Sequence, residues 1–303
     1  MKIFINGFWG GFIENTDPIK FDFFKKVFEL AFNETIEVGD NPNECDALFE
    51  SVFSDKTYIN KKKWRYTIFL NGESQQRILT DHFKNNYERV NQITNYNIIL
   101  TGKLTNKTIK TVNLPLFIPY IYSNNYINIL QNPMGRKVVP KKTICAVISN
   151  SNFQKRNYFL DRLQEKVNID YAGNFRNNIP KIPGAYNSDE ILNFYSQYKF
   201  VICLENTKQE TYITEKIING FLSKTIPIYW GSDKICDYFN EERFINIPNL
   251  NEICVNNAIN KIVSIINDDN KYLQVVNSPI LKNGCLSRNI NDVANDIISV
   301  LHR

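Results

Sequence analysis

The stretch from residue 200 to residue 231 constrains the fold more than any other part of this sequence. It opens with an apolar, β-branched run at 200–204, which favours a strand buried on both faces. A polar loop follows, and apolar residues then recur at helical spacing behind Thr214, a candidate N-cap. A second apolar run, 225–230, closes at Gly231. Strand, helix and strand in about 30 residues predict a βαβ unit with parallel strands and a right-handed crossover.

Polar residues gather at one end of this predicted unit. Glu205, Asn206 and Tyr212 lie in the loop that leaves the first strand, and Glu215 and Lys216 open the helix. Ligands of open α/β sheets bind at the carboxyl ends of the strands, and a helix N-terminus with a lysine in its first turn suits a phosphate. An ordinary solvated first turn carries the same residue types, so these residues alone leave both interpretations open.

The combination of these residues is more specific than any one of them. The pattern E-N-x(5)-Y-x-T-E-K, followed by P-I-Y-W-G, resembles the donor-binding signature of the α-1,3/1,4-fucosyltransferases, glycosyltransferase family 10. Its residues here are Glu205, Asn206, Tyr212, Thr214, Glu215, Lys216 and 227–231. The resemblance implies a GT-B-like α/β fold, with two Rossmann-like domains facing a cleft. It also implies transfer of L-fucose from GDP-fucose to a sugar hydroxyl, with inversion.

A glycine and a glutamate extend the resemblance toward the N-terminus. Gly72 and Glu73 follow the predicted strand 66–70, where a glycine lets the backbone turn sharply and the carboxylate is presented at the edge of the sheet. In the family a Gly-Glu pair at the corresponding point supplies the general base, so the resemblance implies that role for Glu73. The alternative is a loop glutamate that makes a turn contact.

An arginine about 80 residues after Glu73 extends the resemblance toward the C-terminus. The segment S-N-x(5)-R runs from Ser149 and Asn150 to Arg156, behind a predicted strand at 143–148. In the family the arginine at this helix start contacts the donor diphosphate, which implies the same role for Arg156. A guanidinium there can bind phosphate through two hydrogen bonds, although a surface arginine in an amphipathic helix is the commoner situation.

Prolines and basic residues between positions 115 and 142 mark a predicted linker. We place the domain boundary there, with an acceptor-side domain at 1–140 and a GDP-sugar-binding domain at 141–303. The expected helices are 21–32, a segment from Arg156, 188–199, 251–267 and 292–302. The other expected strands are 2–5, 46–53, 66–70, 97–100, 114–121 and 143–148. Phe8 and Trp9, in a glycine-rich turn, either form a platform for an acceptor sugar or pack the turn.

Charge and residue usage narrow the function classes. The net charge of +5 comes without a long basic arm, so no nucleic-acid partner is expected. Two histidines and six scattered cysteines argue against a structural zinc site. Asp268 and Asp269 are expected to cap a helix or lie in a turn, and no obligatory metal or other cofactor is expected. The lack of an apolar leader or a membrane-length span predicts no integral membrane segment and a cytoplasmic enzyme of bacterial or viral type.

The resemblance therefore implies an inverting fucosyltransferase that joins L-fucose from GDP-fucose to an N-acetylglucosamine-type acceptor glycan in α-1,3 linkage, whereas the residues by themselves indicate only transfer from a nucleotide diphosphate sugar. The expected catalytic residues are Glu73, Arg156, Glu215 and Lys216. The expected donor-binding residues are Arg156, Asn206, Tyr212, Thr214, Glu215 and Lys216. Three alternatives stay open: a GT-B transferase for another nucleotide sugar, an inactive nucleotide- or carbohydrate-binding protein, and a basic nucleic-acid-binding module.

Overall fold

Two compact units make up the chain. The computed structural model describes residues 1–53, 56–73, 95–101, 110–149, 151, 153–183 and 188–302. The first unit contains Met1–Asn125, Gln209–Tyr212 and Arg288–Arg303, and the second contains Tyr126–Lys208 and Ile213–Ser287. These units differ from the contiguous ranges 1–140 and 141–303 expected from the sequence. Residues 126–140 group with the second unit, and the C-terminal segment returns to the first.

The first unit is built on a parallel sheet. Among the described residues it has six strands in the order β2-β1-β3-β4-β5-β6. They are β1 (Lys2–Asn6), β2 (Glu37–Val38), β3 (Ala47–Ser51), β4 (Tyr66–Asn71), β5 (Ile98–Thr101) and β6 (Thr111–Asn113). Every pairing is parallel. The strands predicted at 2–5, 46–53, 66–70 and 97–100 are confirmed, because each of these apolar runs contributes one strand to this sheet.

Helices from both ends of the chain cover the first unit. They are α1 (Phe21–Phe32), α2 (Phe117–Ser123) and α10 (Ile290–Leu301). Helix α1 packs against α10, while its buried Phe24 and Phe28 contact the Phe49 ring of β3. Asn289 and Asp292 form a capping box that fixes the start of α10. The packing of α10 against α1 is the physical reason why the C-terminal segment groups with the first unit.

The second unit has a smaller parallel sheet. Its five strands within the described residues follow the order β11-β10-β9-β7-β8. They are β7 (Lys142–Ala146), β8 (Ile169–Tyr171), β9 (Tyr198–Leu204), β10 (Ile226–Trp230) and β11 (Ile245–Asn246). The helices are α3 (Ile127–Gln131), α4 (Gln154–Gln164), α5 (Asp189–Tyr195), α6 (Glu215–Leu222), α7 (Ile235–Tyr238), α8 (Glu252–Ile266) and α9 (Asp269–Val276). One apolar core joins the sheet to α4, α8 and α9.

The predicted βαβ unit is present as β9, α6 and β10. The two strands pair in parallel from Phe200 opposite Ile226 to Leu204 opposite Trp230, and every residue of both is buried. Gly220 lets α6 approach them closely, since a Cβ there would lie 2.8 Å from the Pro227 ring. The strand, helix and strand predicted over 200–231 are confirmed.

Some predicted elements differ from the structure, and the helix predicted over 292–302 begins two residues earlier, at Ile290. The strand predicted at 114–121 is wrong: these residues contribute to helix α2, which begins at Phe117. An apolar run of this length does not distinguish strand from helix, and Pro119 lies in the first helical turn, where its missing N–H leaves no hydrogen bond unmade. The helix predicted over 188–199 ends at Tyr195, and β9 already begins at Tyr198. The helix predicted from Arg156 begins two residues earlier, at Gln154.

The aromatic turn after β1 is packed rather than open. Phe12 is fully buried, and the Phe8 ring stacks on it with a centroid separation of 4.1 Å. The Trp9 ring meets Phe12 edge-on at 5.4 Å. Of the two interpretations of this turn, these contacts favour packing. Elsewhere in the described part of the chain, no helix is long and apolar enough to cross a membrane.

Candidate active site

The order of strands in the second unit marks one edge of its sheet as a candidate ligand site. From β7 the chain passes through α4 to β8 on one side, whereas β9 leads through α6 to β10 on the other. Because β7 and β9 are neighbours, the strand order reverses between them. In open α/β sheets ligands bind beside such a reversal, at the carboxyl ends of the strands. The first residues of α4 and α6 both follow strands that end at this edge.

Glu205 is the buried centre of this edge. It comes directly after the last residue of β9, and its backbone N–H donates to the Trp230 carbonyl at 2.8 Å, which extends the ladder by one bond. Its side chain is 0% exposed. The carboxylate accepts from the Thr214 backbone N–H at 2.8 Å, from the Thr214 hydroxyl at 3.0 Å and from Lys216 Nζ at 3.0 Å. Burial raises the pKa of Glu205, and the Lys216 ammonium opposes that rise.

Thr214 and Lys216 join the start of α6 to this carboxylate. Thr214 is the N-cap, as predicted, and its hydroxyl accepts from the Lys216 N–H at 3.5 Å. Lys216 Nζ also lies 3.0 Å from the Thr214 hydroxyl and 3.9 Å from Glu215 Oε1. Its side chain is 30% exposed. The ammonium is therefore held by Glu205, while the lysine side chain as a whole is partly exposed.

Gly231 is required by the packing around Glu205. A Cβ at this position would lie 2.6 Å from Glu205 Cγ and 2.6 Å from the Tyr229 hydroxyl oxygen. That hydroxyl accepts from the Ser232 N–H at 3.1 Å. A larger residue at position 231 would have to displace Glu205. Because Gly231 ends the P-I-Y-W-G segment and Glu205 begins the E-N segment, the two segments of the sequence pattern meet at this point.

Arg156 lies at the same edge of the sheet, in the first turn of α4. The residue is 3% exposed, and its guanidinium carbon lies 5.0 Å from the centroid of the Phe153 ring. Burial lowers the pKa of Arg156 to about 10. A charge that is disfavoured by burial is stabilised when an anion binds beside it, which suits a phosphate site. Asn150, named with it in the sequence pattern, lies outside the described residues.

The loop between β9 and α6 contains the remaining predicted donor-binding residues. Asn206 is half-buried directly after Glu205, and Tyr212 is buried at 5% exposure. The loop is fastened by Lys208, whose Nζ lies 2.6 Å from Asp233 Oδ1 and donates to the Pro248 carbonyl at 2.8 Å. The structure thus brings Thr214, Glu215 and Lys216 together around Glu205, while the roles of Asn206 and Tyr212 stay predictions.

Glu73, the predicted base, lies at the end of β4 in the first unit. It is 9% exposed, and its backbone N–H donates to Asn71 Oδ1 at 3.2 Å. The chain bends at Glu73, directly after Gly72, and the φ of Gly72 is not positive. A Cβ on Gly72 would lie 3.2 Å from the Phe53 ring. Close packing against Phe53 therefore also favours glycine there.

Within the described ranges no three His, Cys, Asp or Glu residues lie together as a group that could hold a metal ion. Asp268 is the N-cap of α9 and accepts from the Lys271 N–H at 3.0 Å. The interpretation of this acidic pair as a helix cap is confirmed.

The two parallel sheets, each flanked by helices, have the fold class of the GT-B glycosyltransferases. A crystal structure of α1,3-fucosyltransferase with GDP-fucose matches the whole of this chain and 90% of its own, with a TM-score of 0.66 and 21% identity. The predicted α/β fold of GT-B type is confirmed. Residues 138–277 match the family model described as glycosyltransferase family 10 (fucosyltransferase), C-terminal. The predicted resemblance to this family is likewise confirmed.

Curated relatives carry the same family name. An α-(1,3)-fucosyltransferase of Helicobacter pylori is 28% identical over 305 residues, which cover 91% of this chain and 59% of the relative. A putative fucosyltransferase of Acanthamoeba polyphaga mimivirus is 30% identical over 200 residues, covering 63% of this chain and 32% of that protein. The chain thus spans less than two thirds of the length of either relative.

Proposed function

We propose that this chain is a fucosyltransferase that uses GDP-fucose as donor and the hydroxyl of an acceptor glycan as nucleophile. The observation that carries the proposal is the cluster of Glu205, Thr214 and Lys216 at the reversal of strand order, because it is formed by residues of the family's donor signature. The relatives with this name, and the solved structure with GDP-fucose, support the choice of donor.

The donor diphosphate is bound at the carboxyl edge of the second sheet. Arg156, the Lys216 ammonium and the N-terminal N–H groups of α6 supply positive charge at that edge. In the reaction the bond between fucose C1 and the β-phosphate oxygen breaks, and the negative charge on GDP grows. Groups that are already oriented toward the place where charge develops lower the barrier most. These cations do the work that a bridging metal does in other transferases, so no obligatory metal is proposed.

Glu73 is the proposed general base. Its carboxylate takes the proton of the acceptor hydroxyl while that oxygen attacks fucose C1 from the face opposite the leaving diphosphate. The configuration at C1 is therefore inverted. The acceptor is an N-acetylglucosamine-type glycan, and the new linkage is α-1,3.

The test is incubation with a panel of nucleotide sugars and N-acetyllactosamine-type acceptors, with product linkage read by NMR. Transfer from GDP-fucose alone, with an α-linked fucose on O3 of N-acetylglucosamine, is the expected outcome. Transfer from another nucleotide sugar would show that the chain is a glycosyltransferase but that its donor is not GDP-fucose. Tight nucleotide binding without transfer to any acceptor would overturn the enzymatic proposal in favour of a binding protein.

A further inference from the structure

We infer that Glu205 is a positioning residue for the transfer reaction: it holds the Lys216 ammonium where the departing diphosphate needs it. This inference rests on the proposed function, since it assigns a role to a residue that does not itself touch the donor. Glu205 is fully buried, whereas Lys216 reaches solvent, so only the lysine of this pair is placed to meet a ligand.

Three donors at the start of α6 converge on the Glu205 carboxylate. They are the Thr214 N–H, the Thr214 hydroxyl and Lys216 Nζ, which lies 3.0 Å from Glu205 Oε2. The Glu205 backbone N–H donates to the Trp230 carbonyl and fixes the residue to β10. Gly231 closes the space behind the side chain. The carboxylate therefore has one position, and that position defines where the ammonium lies.

The charge balance of the cluster makes this geometry decisive. Lys216 is opposed by Glu205 at 3.0 Å and by Glu215 at 3.9 Å, so it does not act as an isolated cation that attracts phosphate from any direction. Its benefit to the reaction depends on a short contact with the oxygen on which charge develops. A lysine has a flexible four-carbon chain, and holding it in one rotamer before the donor binds lowers the entropy that is lost when the contact forms. Loss of Glu205 would therefore reduce turnover more than nucleotide affinity.

The chain offers a matched control at the other end of β9. Lys199, the second residue of that strand, has its Nζ 2.8 Å from Asp269 Oδ1, and its side chain is 9% exposed. Asp269→Asn removes the carboxylate charge from a lysine pair at the amino end of the strand. Glu205→Gln removes it from a lysine pair at the carboxyl end. A purely structural role for both pairs predicts the same modest loss of melting temperature and no selective loss of turnover.

The experiment is a double-mutant cycle with Glu205→Gln, Lys216→Met and both together, beside Asp269→Asn. We expect Glu205→Gln to lower kcat by about 10- to 100-fold with the Kd for GDP changed by less than about fivefold, and Asp269→Asn to leave both unchanged. In the Lys216→Met background, Glu205→Gln should change kcat by less than about threefold, because the group that it positions is gone. Full additivity of the two effects, or an equal loss in Asp269→Asn, would overturn the inference.

A second readout does not depend on transfer. An amine-directed reagent labels exposed lysines, and peptide mass spectrometry measures how far GDP protects Lys216. Strong protection in the wild type and weak protection in Glu205→Gln are expected, whereas equal protection in both would contradict the positioning role. If GDP protects Lys216 in the wild type but not in Glu205→Gln and no fucose is transferred, the proposed function fails, while the placement of the Lys216 ammonium against the nucleotide by Glu205 stands. Should Glu205→Gln not fold, Glu205→Asp, which keeps the charge but withdraws it from Nζ, replaces it in both measurements.

Discussion

A buried glutamate lies at the reversal of strand order in each sheet, and the two differ in the donors that surround them. In the first unit Glu50 is 1% exposed and lies opposite Asn6, at the end of β1. Its carboxylate accepts from the Asn6 amide at 2.6 Å, the Thr57 hydroxyl at 2.8 Å, the Tyr58 N–H at 2.8 Å and the Tyr96 hydroxyl. In the second unit Glu205 accepts instead from one residue at a helix start and from a lysine.

The difference shows that burial and position do not by themselves give a carboxylate its role. The donors to Glu50 are an amide, two hydroxyls and a backbone N–H, all uncharged, so this residue holds loops of the first unit together. The donor that distinguishes Glu205 is the ammonium of a lysine whose side chain is partly exposed. An ammonium at the carboxyl edge of a parallel sheet suits a diphosphate. Under the proposed function, the donor diphosphate is bound at the second unit and the proposed base, Glu73, lies in the first.

The strongest challenge to this division is Glu73→Gln. The amide keeps the size and polarity of the side chain but cannot take a proton, so kcat should fall by roughly 10²- to 10⁴-fold. The Kd for GDP-fucose should stay within a few fold, because the donor lies in the other unit. Steady-state kinetics and calorimetric titration measure the two quantities. Turnover near the wild-type value, with tight donor binding, would mean that the base lies elsewhere.

Arg156→Met tests the opposite side of the comparison. The buried guanidinium, whose pKa is lowered to about 10, is charged at neutral pH at a cost on the order of 3 kcal/mol. Because the pKa is lower in the folded than in the unfolded state, this cost is present at every pH below about 10 and falls as the pH rises above it. Methionine carries no charge, so this cost is absent. The Arg156→Met variant without nucleotide should therefore have a melting temperature no lower than that of the wild type. Its kcat should fall by about 10²-fold, and its affinity for GDP should fall as well.

A clear decrease in the melting temperature of Arg156→Met, together with unchanged GDP affinity, would contradict the phosphate role and make the arginine a structural residue. Arg243→Met is the matched control, since Arg243 is 2% exposed, has a pKa lowered by burial to about 10, and donates to the Thr225 carbonyl at 2.8 Å. That carbonyl precedes β10, at the amino end of the strand. GDP affinity of Arg243→Met should match the wild type.

Local patterns predicted the elements whose partners are close in the sequence. The apolar runs of β9 and β10 and the cap at Thr214 were identified because a strand, its loop and its helix are adjacent in the chain. Helix α1 was predicted with both of its ends. The segment 114–121 failed because its apolar run fits a strand or a helix equally well, and only contacts with α1 decide between them. The return of α10 to α1 joins the two ends of the chain, and no local pattern contains that information.

The candidate site was also predicted only in part, because local sequence patterns do not show burial or contacts between distant residues. The family pattern named Thr214, Glu215, Lys216 and Arg156, which the structure places at one edge of one sheet. Glu205 was quoted in that pattern without a role, because its importance depends on burial and on contacts across nine to eleven residues. A sequence signal was nevertheless present. A charged residue directly after the apolar run 200–204 must find a partner, and a threonine and a lysine at the next helix start supply it.

Glu50→Gln tests whether the buried glutamate of the first unit has a structural role. The amide has one acceptor oxygen and no charge, so part of the four-donor network around Glu50 is weakened. We expect the free energy of unfolding to decrease by about 1–3 kcal/mol. Because Glu50 touches no expected reactant, kcat of the folded variant should stay within about threefold. Chemical denaturation and kinetics below the melting temperature separate these effects. A loss of turnover like that of Glu73→Gln, without loss of stability, would move the catalytic base to Glu50.

The smallest expected effect is that of a chelator. If Arg156, Lys216 and the N–H groups of α6 offset the charge of the departing diphosphate, the cationic edge of the second unit is complete without an ion. EDTA should then change kcat by less than about twofold, and added Mg²⁺ or Mn²⁺ should act only on the release of GDP, which binds divalent ions in solution. Lys216→Met makes the test more sensitive: with one cation gone, added metal should restore part of the lost turnover, whereas the wild type should gain little. Complete loss of wild-type activity in EDTA, reversed by a divalent ion, would show that the protein's own cations do not suffice and that the difference between the two units is not the one proposed.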